Sequence, residues 1–109
     1  MRNIFIDLGA GSGDDIQGFY DLDSKNKSAE VYAFEANPKR TAGIKNRFPN
    51  VNVYTAAAGI ENTTANLYLG NSLNTSSLNE NKVSINKARS LEVSVIDLCE
   101  FMKENFSAD

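Results

Sequence analysis

Three glycines at alternate positions lie between an apolar segment and a helical pattern, and they constrain the fold more than any other feature. The apolar segment covers residues 4–8, and Gly9, Gly11 and Gly13 follow it directly. Glycine adopts positive φ angles at little cost and lets the backbone approach a ligand closely. Because one glycine would be enough for a tight turn, three at this spacing predict a strand–loop–helix unit that binds a ligand.

Alternating apolar segments and helical patterns around this loop predict an α/β fold. The predicted order is a strand at residues 4–8, a helix at 14–22, a polar loop at 23–28, a strand at 31–34, a helix that begins at Asn37-Pro38 and ends before Pro49, and a strand at 51–57. Ile44 and Phe48 are expected to face the core. Short connections between such elements imply a parallel sheet with right-handed crossovers.

A different periodicity marks the second half of the chain. Residues 65–70 and 91–95 alternate between apolar and polar side chains, which predicts strands with one wet face. The Asn- and Ser-rich residues 71–87 are interpreted as a long surface loop between them. The last segment, residues 96–106, is predicted to be a helix with Cys99 near its apolar face, and Ser94 and Asp97 resemble a capping box before it.

The composition is typical of a soluble globular protein of one domain or less. The 109 residues are 41% hydrophobic and 23% charged, with a net charge of −3, which argues against a general nucleic-acid partner. The single cysteine excludes an intrachain disulfide and fits a reducing compartment. The first apolar run is too short for a secretion signal or a membrane span. We therefore predict a cytoplasmic protein without membrane partners, and we predict no metal site.

Acidic residues around the glycine loop indicate which ligand it suits. A dinucleotide-binding fingerprint needs a glycine where Asp14 stands, and the lysine of a phosphate-binding P-loop is absent. Asp14 and Asp15 in the first helical turn, with Asp7 at the end of the strand, would repel a pyrophosphate. They suit a ligand with a cationic end. S-adenosylmethionine has an ammonium and a sulfonium group and no phosphate.

Two further segments fit an adenosyl ligand. Glu35 ends the second predicted strand about 20 residues beyond the loop, where an acid accepts hydrogen bonds from ribose hydroxyls in nucleotide-binding sheets. The small residues 56–59 end the third predicted strand and would leave room for an adenine ring. Close packing of a strand against a helix would explain these small residues equally well.

These segments resemble the FkbM-like family of class I S-adenosylmethionine-dependent methyltransferases. The matching segments are Ile6-Asp7-Leu8-Gly9-Ala10-Gly11-Ser12-Gly13-Asp14, residues 31–38 with Phe34-Glu35-Ala36-Asn37-Pro38, residues 53–59, Ser76-Ser77-Leu78 and residues 91–98. The resemblance implies the N-terminal half of a Rossmann-like methyltransferase sheet, with parallel strands in the order 3-2-1, a β-hairpin-like insertion and a C-terminal helix. It implies methyl transfer to a hydroxyl oxygen of a sugar or natural product. Ala36 departs from the family, in which proline or Asn-Pro often follows the acid.

The resemblance also implies the extent of the site and of the domain. The predicted cofactor-binding residues are Asp7, Gly9, Ala10, Gly11, Gly13, Asp14, Glu35, Ala36 and Ala57. Because the family's next block, a strand of the type Lys-x-Asp-x-Glu-Gly, does not occur, we expect residues 1–109 to be the cofactor-binding portion of one domain, truncated before strand four. Self-association through the unpaired edge of strand one is then expected. No catalytic base is predicted. A non-catalytic binding or assembly module and an NAD-dependent oxidoreductase fragment are the alternatives.

Overall fold

Two structural units with separate β-sheets make up the described part of the chain. The structure is a computed structural model that describes residues 2–70 and 85–106, with only the backbone described at residues 69, 70 and 85–89. The units are Met1–Thr55 and Ala56–Asp109, and each contains a three-stranded sheet. The described residues thus form a mixed α/β fold with one parallel sheet and three α-helices.

The parallel sheet of the first unit has the strand order that the sequence predicts. Its strands are β1 (Ile4–Leu8), β2 (Glu30–Phe34) and β3 (Asn52–Tyr54), in the order β1-β2-β3. Leu8 is in register with Phe34, and Phe34 with Tyr54, so the carboxyl ends of all three strands lie side by side. In the described part of the chain, β1 pairs with β2 alone and forms one edge of this sheet.

Helices α1 (Asp14–Leu22) and α2 (Pro38–Arg47) connect these strands. The start of α2 confirms the predicted cap, because the Asn37 side chain accepts a hydrogen bond from the Lys39 N–H at 3.0 Å and Pro38 is the first helical residue. The prediction of a polar loop at residues 23–28 was wrong in part. Residues Ser24–Ser28 form a 3₁₀ helix, because the Asp23 side chain accepts a hydrogen bond from the Lys25 N–H at 2.9 Å and caps it.

Apolar side chains of α1 and α2 form the core of the first unit together with those of the sheet. The buried cluster consists of Ala10, Ile16, Val31, Ala33, Ile44, Phe48 and Val51. Ile44 is fully buried and Phe48 is 8% exposed, which confirms that both face the core as predicted, and Ile16 of α1 is fully buried as well. Phe5 of β1 stacks on Phe19 of α1, with ring centroids 4.2 Å apart.

The second unit combines a mixed sheet with one helix. Its strands are β4 (Ala56–Gly59), β5 (Thr63–Gly70) and β6 (Ile85–Asp97), in the order β4-β6-β5. β4 runs parallel to β6, and β5 runs antiparallel to it. Helix α3 (Leu98–Phe106) follows β6. None of the helices within residues 2–70 and 85–106 has the length and apolar character needed to cross a membrane.

Several boundaries in the second half differ from the predictions. The strand predicted at residues 51–57 is two strands, because its last residues leave β2 and pair with β6. Of the loop predicted at residues 71–87, residues 85–87 belong to β6 and the others lie outside the described residues. Helix α3 begins at Leu98, and Asp97 rather than Ser94 caps it by accepting from the Glu100 N–H at 3.1 Å. Cys99 is exposed, so its predicted place in the core was wrong.

Candidate functional site

The three alternate glycines form a left-handed loop between β1 and α1. Gly9, Gly11 and Gly13 have φ angles of 72°, 59° and 91°, and no other described residue has a positive φ. The loop is fastened to the sheet, because the N–H groups of Gly9 and Ala10 both donate to the Phe34 carbonyl oxygen, at 2.8 and 3.1 Å. Side chains other than glycine rarely adopt these angles, so the loop's path depends on glycine at all three positions.

Each of the two outer glycines is required for a different reason. A Cβ atom at Gly13 would lie 2.7 Å from Cε2 of the buried Phe48 ring, so a side chain there would displace the core. A Cβ atom at Gly9 would meet no atom within 4 Å. Gly13 therefore serves close packing as well as backbone conformation, whereas Gly9 serves the conformation alone.

Glu35 connects the glycine loop to the start of α2. Its Oε1 accepts a hydrogen bond from the Gly11 N–H at 2.8 Å, and its Oε2 accepts one from the Asn37 N–H at 2.9 Å. The residue is half-buried directly after β2, and Ala36 beside it is half-buried as well. An ionised carboxylate offers about four acceptor positions, so about two are left for a ligand.

Asp7 is a buried carboxylate at the end of β1. Its side chain is 6% exposed, and Oδ2 has no hydrogen-bond partner among the described residues. Burial raises the pKa of this carboxyl above its ordinary range, and the charges of Asp15 and Glu35 raise the pKa further. An unpaired buried carboxylate beside two other acids is costly, and a cationic ligand group would relieve that cost.

Two arginines of α2 lie close to the glycine loop. Arg47 Nη1 donates to the Ser12 carbonyl oxygen at 3.1 Å and to Asp14 Oδ1 at 2.9 Å. The hydrogen bond that Asp14 accepts from Arg47, and then one from the Ser12 side chain, lower the pKa of the Asp14 carboxyl. Arg40 Nη1 lies 3.8 Å from the position that a Cβ atom would take at Gly11. The charge of Asp14 is therefore directed at α2, and it contributes less to the acidity of the loop than the sequence suggests.

The sequence reasoning missed both arginines. Their signal lies in the charge of the two helices, since α1 begins with two acids and α2 contains four basic residues. Opposite charges on the two helices are the only sequence feature that connects these arginines to the loop. Arg40 is the third residue of α2 and Arg47 is the last.

The structure brings most of the predicted site residues together at the carboxyl ends of β1 and β2. Gly11 is hydrogen-bonded to Glu35, Gly9 is hydrogen-bonded to the end of β2, and Asp7 is close enough to Glu35 for its pKa to respond to that charge. Ala10 is 6% exposed and belongs to the core beneath the loop. Ala57 is half-buried in β4 of the second unit, paired in register with Val95. In the described parts of the chain, no group of three or more acidic or cysteine residues is arranged to hold a metal ion.

Comparison with family models, curated proteins and solved structures yields no match to this chain. The candidate site consists of a left-handed glycine loop, a carboxylate that accepts a hydrogen bond from the loop's central N–H, and a buried carboxylate with an unpaired oxygen.

Proposed function

We propose that this chain is the cofactor-binding portion of an S-adenosylmethionine-dependent methyltransferase with a Rossmann-like sheet. The proposed reaction is methyl transfer to a hydroxyl oxygen of a sugar or natural product. The observation that carries the proposal is the buried Asp7 carboxylate, whose unpaired Oδ2 lies at the carboxyl edge of the parallel sheet. Ligands of open α/β sheets bind at this edge.

The residues at this edge fit the chemical groups of the cofactor. Asp7 would pair with its ammonium group, since a cation relieves a buried, unpaired carboxylate. Glu35 retains acceptor positions for the two ribose hydroxyls beside its two backbone hydrogen bonds. The three glycines of the loop present backbone without side chains at alternate positions, which permits close approach of the adenosyl part. The bound cofactor supplies an electrophilic methyl group on sulfur.

The contribution of this chain to the reaction is the binding and orientation of the cofactor. Methyl transfer depends mainly on holding an acceptor oxygen in line with the methyl group. Asp7 would hold the amino-acid end of the cofactor and Glu35 its ribose, and these two contacts would orient the methyl group. The contact of Ala57 with the adenine stays a prediction from the sequence, and Ala57 lies in β4 of the second unit.

Titration calorimetry with S-adenosylhomocysteine and with NAD tests this function. We expect S-adenosylhomocysteine to bind and NAD to show no measurable heat, because NAD would bring a pyrophosphate next to Asp7 and Glu35. Tight binding of NAD would contradict the proposal and favour a dinucleotide enzyme. Binding of neither ligand would contradict it as well, and would favour a non-catalytic module of the same fold.

A further inference from the structure

Glu35 occupies the backbone N–H that a phosphate-binding loop would offer to its ligand. We propose that Glu35 is a specificity-determining residue that closes the glycine loop to phosphate groups and so restricts the site to phosphate-free ligands. The proposal deepens the methyltransferase function above, and rests on it only for the identity of the ligand that is accepted. Exclusion of phosphates follows from the loop's own contacts.

The first step of the argument is the hydrogen bond at the centre of the loop. Glycine-rich loops bind phosphates because their N–H groups point at the anion. Here the Gly11 N–H donates to Glu35 Oε1 at 2.8 Å. This bond has an ionised acceptor, which makes it stronger than a bond between neutral groups. A phosphate oxygen would have to displace a carboxylate that already carries a negative charge.

The second step is that the carboxylate is held at both oxygens. Glu35 Oε2 accepts from the Asn37 N–H at 2.9 Å, and Asn37 is the buried cap of α2, with 4% of its surface exposed. Rotation of the Glu35 side chain away from Gly11 would therefore break a second hydrogen bond at the start of a helix. The Gly11 N–H is therefore occupied by a carboxylate that is held in place at both oxygens.

The third step is the sign of the surrounding charge. Asp7 is buried beside Asp15 and Glu35, and burial, then the charges of these two acids, raise the pKa of the Asp7 carboxyl. A phosphate at the loop would add a further negative charge to this acidic group, in which Asp7 Oδ2 has no hydrogen-bond partner among the described residues. A cationic group at the same place would be stabilised.

The fourth step concerns what the removal of Glu35 would expose. Arg40 Nη1 lies close to Gly11, at 3.8 Å from the position of a Cβ atom there. Without the Glu35 carboxylate, the Gly11 N–H would lose its acceptor, and the positive charge of Arg40 would lie close to it. A backbone donor beside a positive charge favours an anion, so the variant should gain affinity for phosphates.

The experiment compares the full chain with Glu35→Ala, using inorganic pyrophosphate and ADP as probes. Calorimetry measures affinity, and the NMR amide signal of Gly11 reports contact with the anion. We expect no measurable binding of either probe to the unaltered chain. Glu35→Ala should bind pyrophosphate with a Kd at least about tenfold below the detection limit set for the unaltered chain, which is the effect of one charge-assisted hydrogen bond. The double variant Glu35→Ala with Arg40→Gln should lose this gain. Glu30→Ala, at the opposite end of β2, is the matched control and should gain nothing.

Each outcome decides the proposal. A shift of the Gly11 amide when pyrophosphate is added to the unaltered chain would overturn it, and so would a folded Glu35→Ala variant without any gain. Circular dichroism establishes whether the variant is folded. If it is not, Glu35→Gln, which keeps the shape and removes the charge, replaces it, and the titration of the unaltered chain remains decisive. Because S-adenosylhomocysteine is absent from these titrations, failure of the methyltransferase function would not change their result.

Discussion

The two ends of the β1–β2 pair differ in how their carboxylates are paired. At the amino ends, Arg2 forms two hydrogen bonds with the Glu30 carboxylate, at 2.6 and 2.7 Å, and the Tyr32 hydroxyl donates to the same carboxylate at 3.0 Å. At the carboxyl ends, Asp7 is buried with an unpaired oxygen, and Glu35 is a second acid close by. At the amino ends the carboxylate has its partners, whereas at the carboxyl ends Asp7 Oδ2 has no hydrogen-bond partner among the described residues.

This difference indicates which end is built for stability and which for a ligand. The exposed ion pair at the amino ends satisfies the Glu30 charge and adds a small stabilisation. A buried carboxylate with an unpaired oxygen lowers stability, and carboxyl groups with a perturbed pKa cluster at functional sites. The carboxyl ends of β1 and β2 are therefore the part of the sheet where a bound cation would improve stability.

Replacement of Gly13 by alanine is expected to have the largest effect on the carboxyl end. The φ angle of 91° would strain the backbone of any residue with a side chain. The new Cβ would also lie only 2.7 Å from Cε2 of Phe48, so the ring would have to move. Strain and overpacking together predict a loss of about 2–5 kcal/mol in the free energy of unfolding. Gly9→Ala is the matched control, since its Cβ meets no atom within 4 Å, and strain alone predicts a loss of about 1–2 kcal/mol. Urea denaturation of both variants would contradict this view of the loop if the two losses were equal.

Replacement of Glu35 by alanine tests the ligand end directly. Loss of the hydrogen bonds to the ribose hydroxyls is expected to weaken S-adenosylhomocysteine binding by about 1–3 kcal/mol, measured by calorimetry. Glu30→Ala removes a carboxylate from the opposite end of the same strand and should leave the affinity unchanged. An equal loss in both variants would mean that the effect comes from the strand as a whole.

Local sequence signals predicted the first two strands and both α-helices of the first unit. Asn37-Pro38 predicted the start of α2, because an Asx cap and an N-terminal proline act within one turn. The alternate glycines predicted the left-handed loop for the same reason. The charge pattern also placed acids at the loop, although it could not show that Asp14 is paired with Arg47, which lies far away in sequence.

Long-range pairing explains what the sequence did not predict. The strand predicted at residues 51–57 divides at Thr55, whose hydroxyl lies 2.9 Å from that of Thr41, and Ala56 then pairs with Ser94 of β6. A period-two pattern does not reveal which distant strand a residue will join. The hydrogen bond between Gly11 and Glu35 could not be predicted either, because spacing indicates that an acid lies near the loop without indicating which N–H it accepts from.

Replacement of Asp7 by asparagine should separate stability from binding. Because the pKa of the Asp7 carboxyl is raised in the folded protein, its charged form destabilises the fold above that raised pKa. Asp7→Asn is therefore expected to stabilise the ligand-free chain by about 1–2 kcal/mol at neutral pH. The gain should shrink as the pH falls through the raised pKa and vanish below about 4, where an unfolded aspartate is also protonated. The variant should bind S-adenosylhomocysteine more weakly, and a loss of stability at neutral pH would mean that Oδ2 has a partner.

The smallest effect is expected at the amino ends, where the comparison can be checked by acid titration. Hydrogen bonds from Arg2, and then from Tyr32, lower the pKa of Glu30 to about 2. The stabilisation by this carboxylate is complete above the pKa of an unfolded glutamate, about 4.3, and is lost as the pH falls towards 2. Glu30→Ala should lower the melting temperature at neutral pH less than any destabilising variant above. As the pH falls from about 4.3 towards 2, this variant should lose less stability than the unaltered chain, because it lacks the carboxylate that becomes protonated. High salt should reduce the difference, because the pair is exposed. If Glu30→Ala instead changed the pH dependence that we assign to Asp7, the two ends of the strand pair would not be independent.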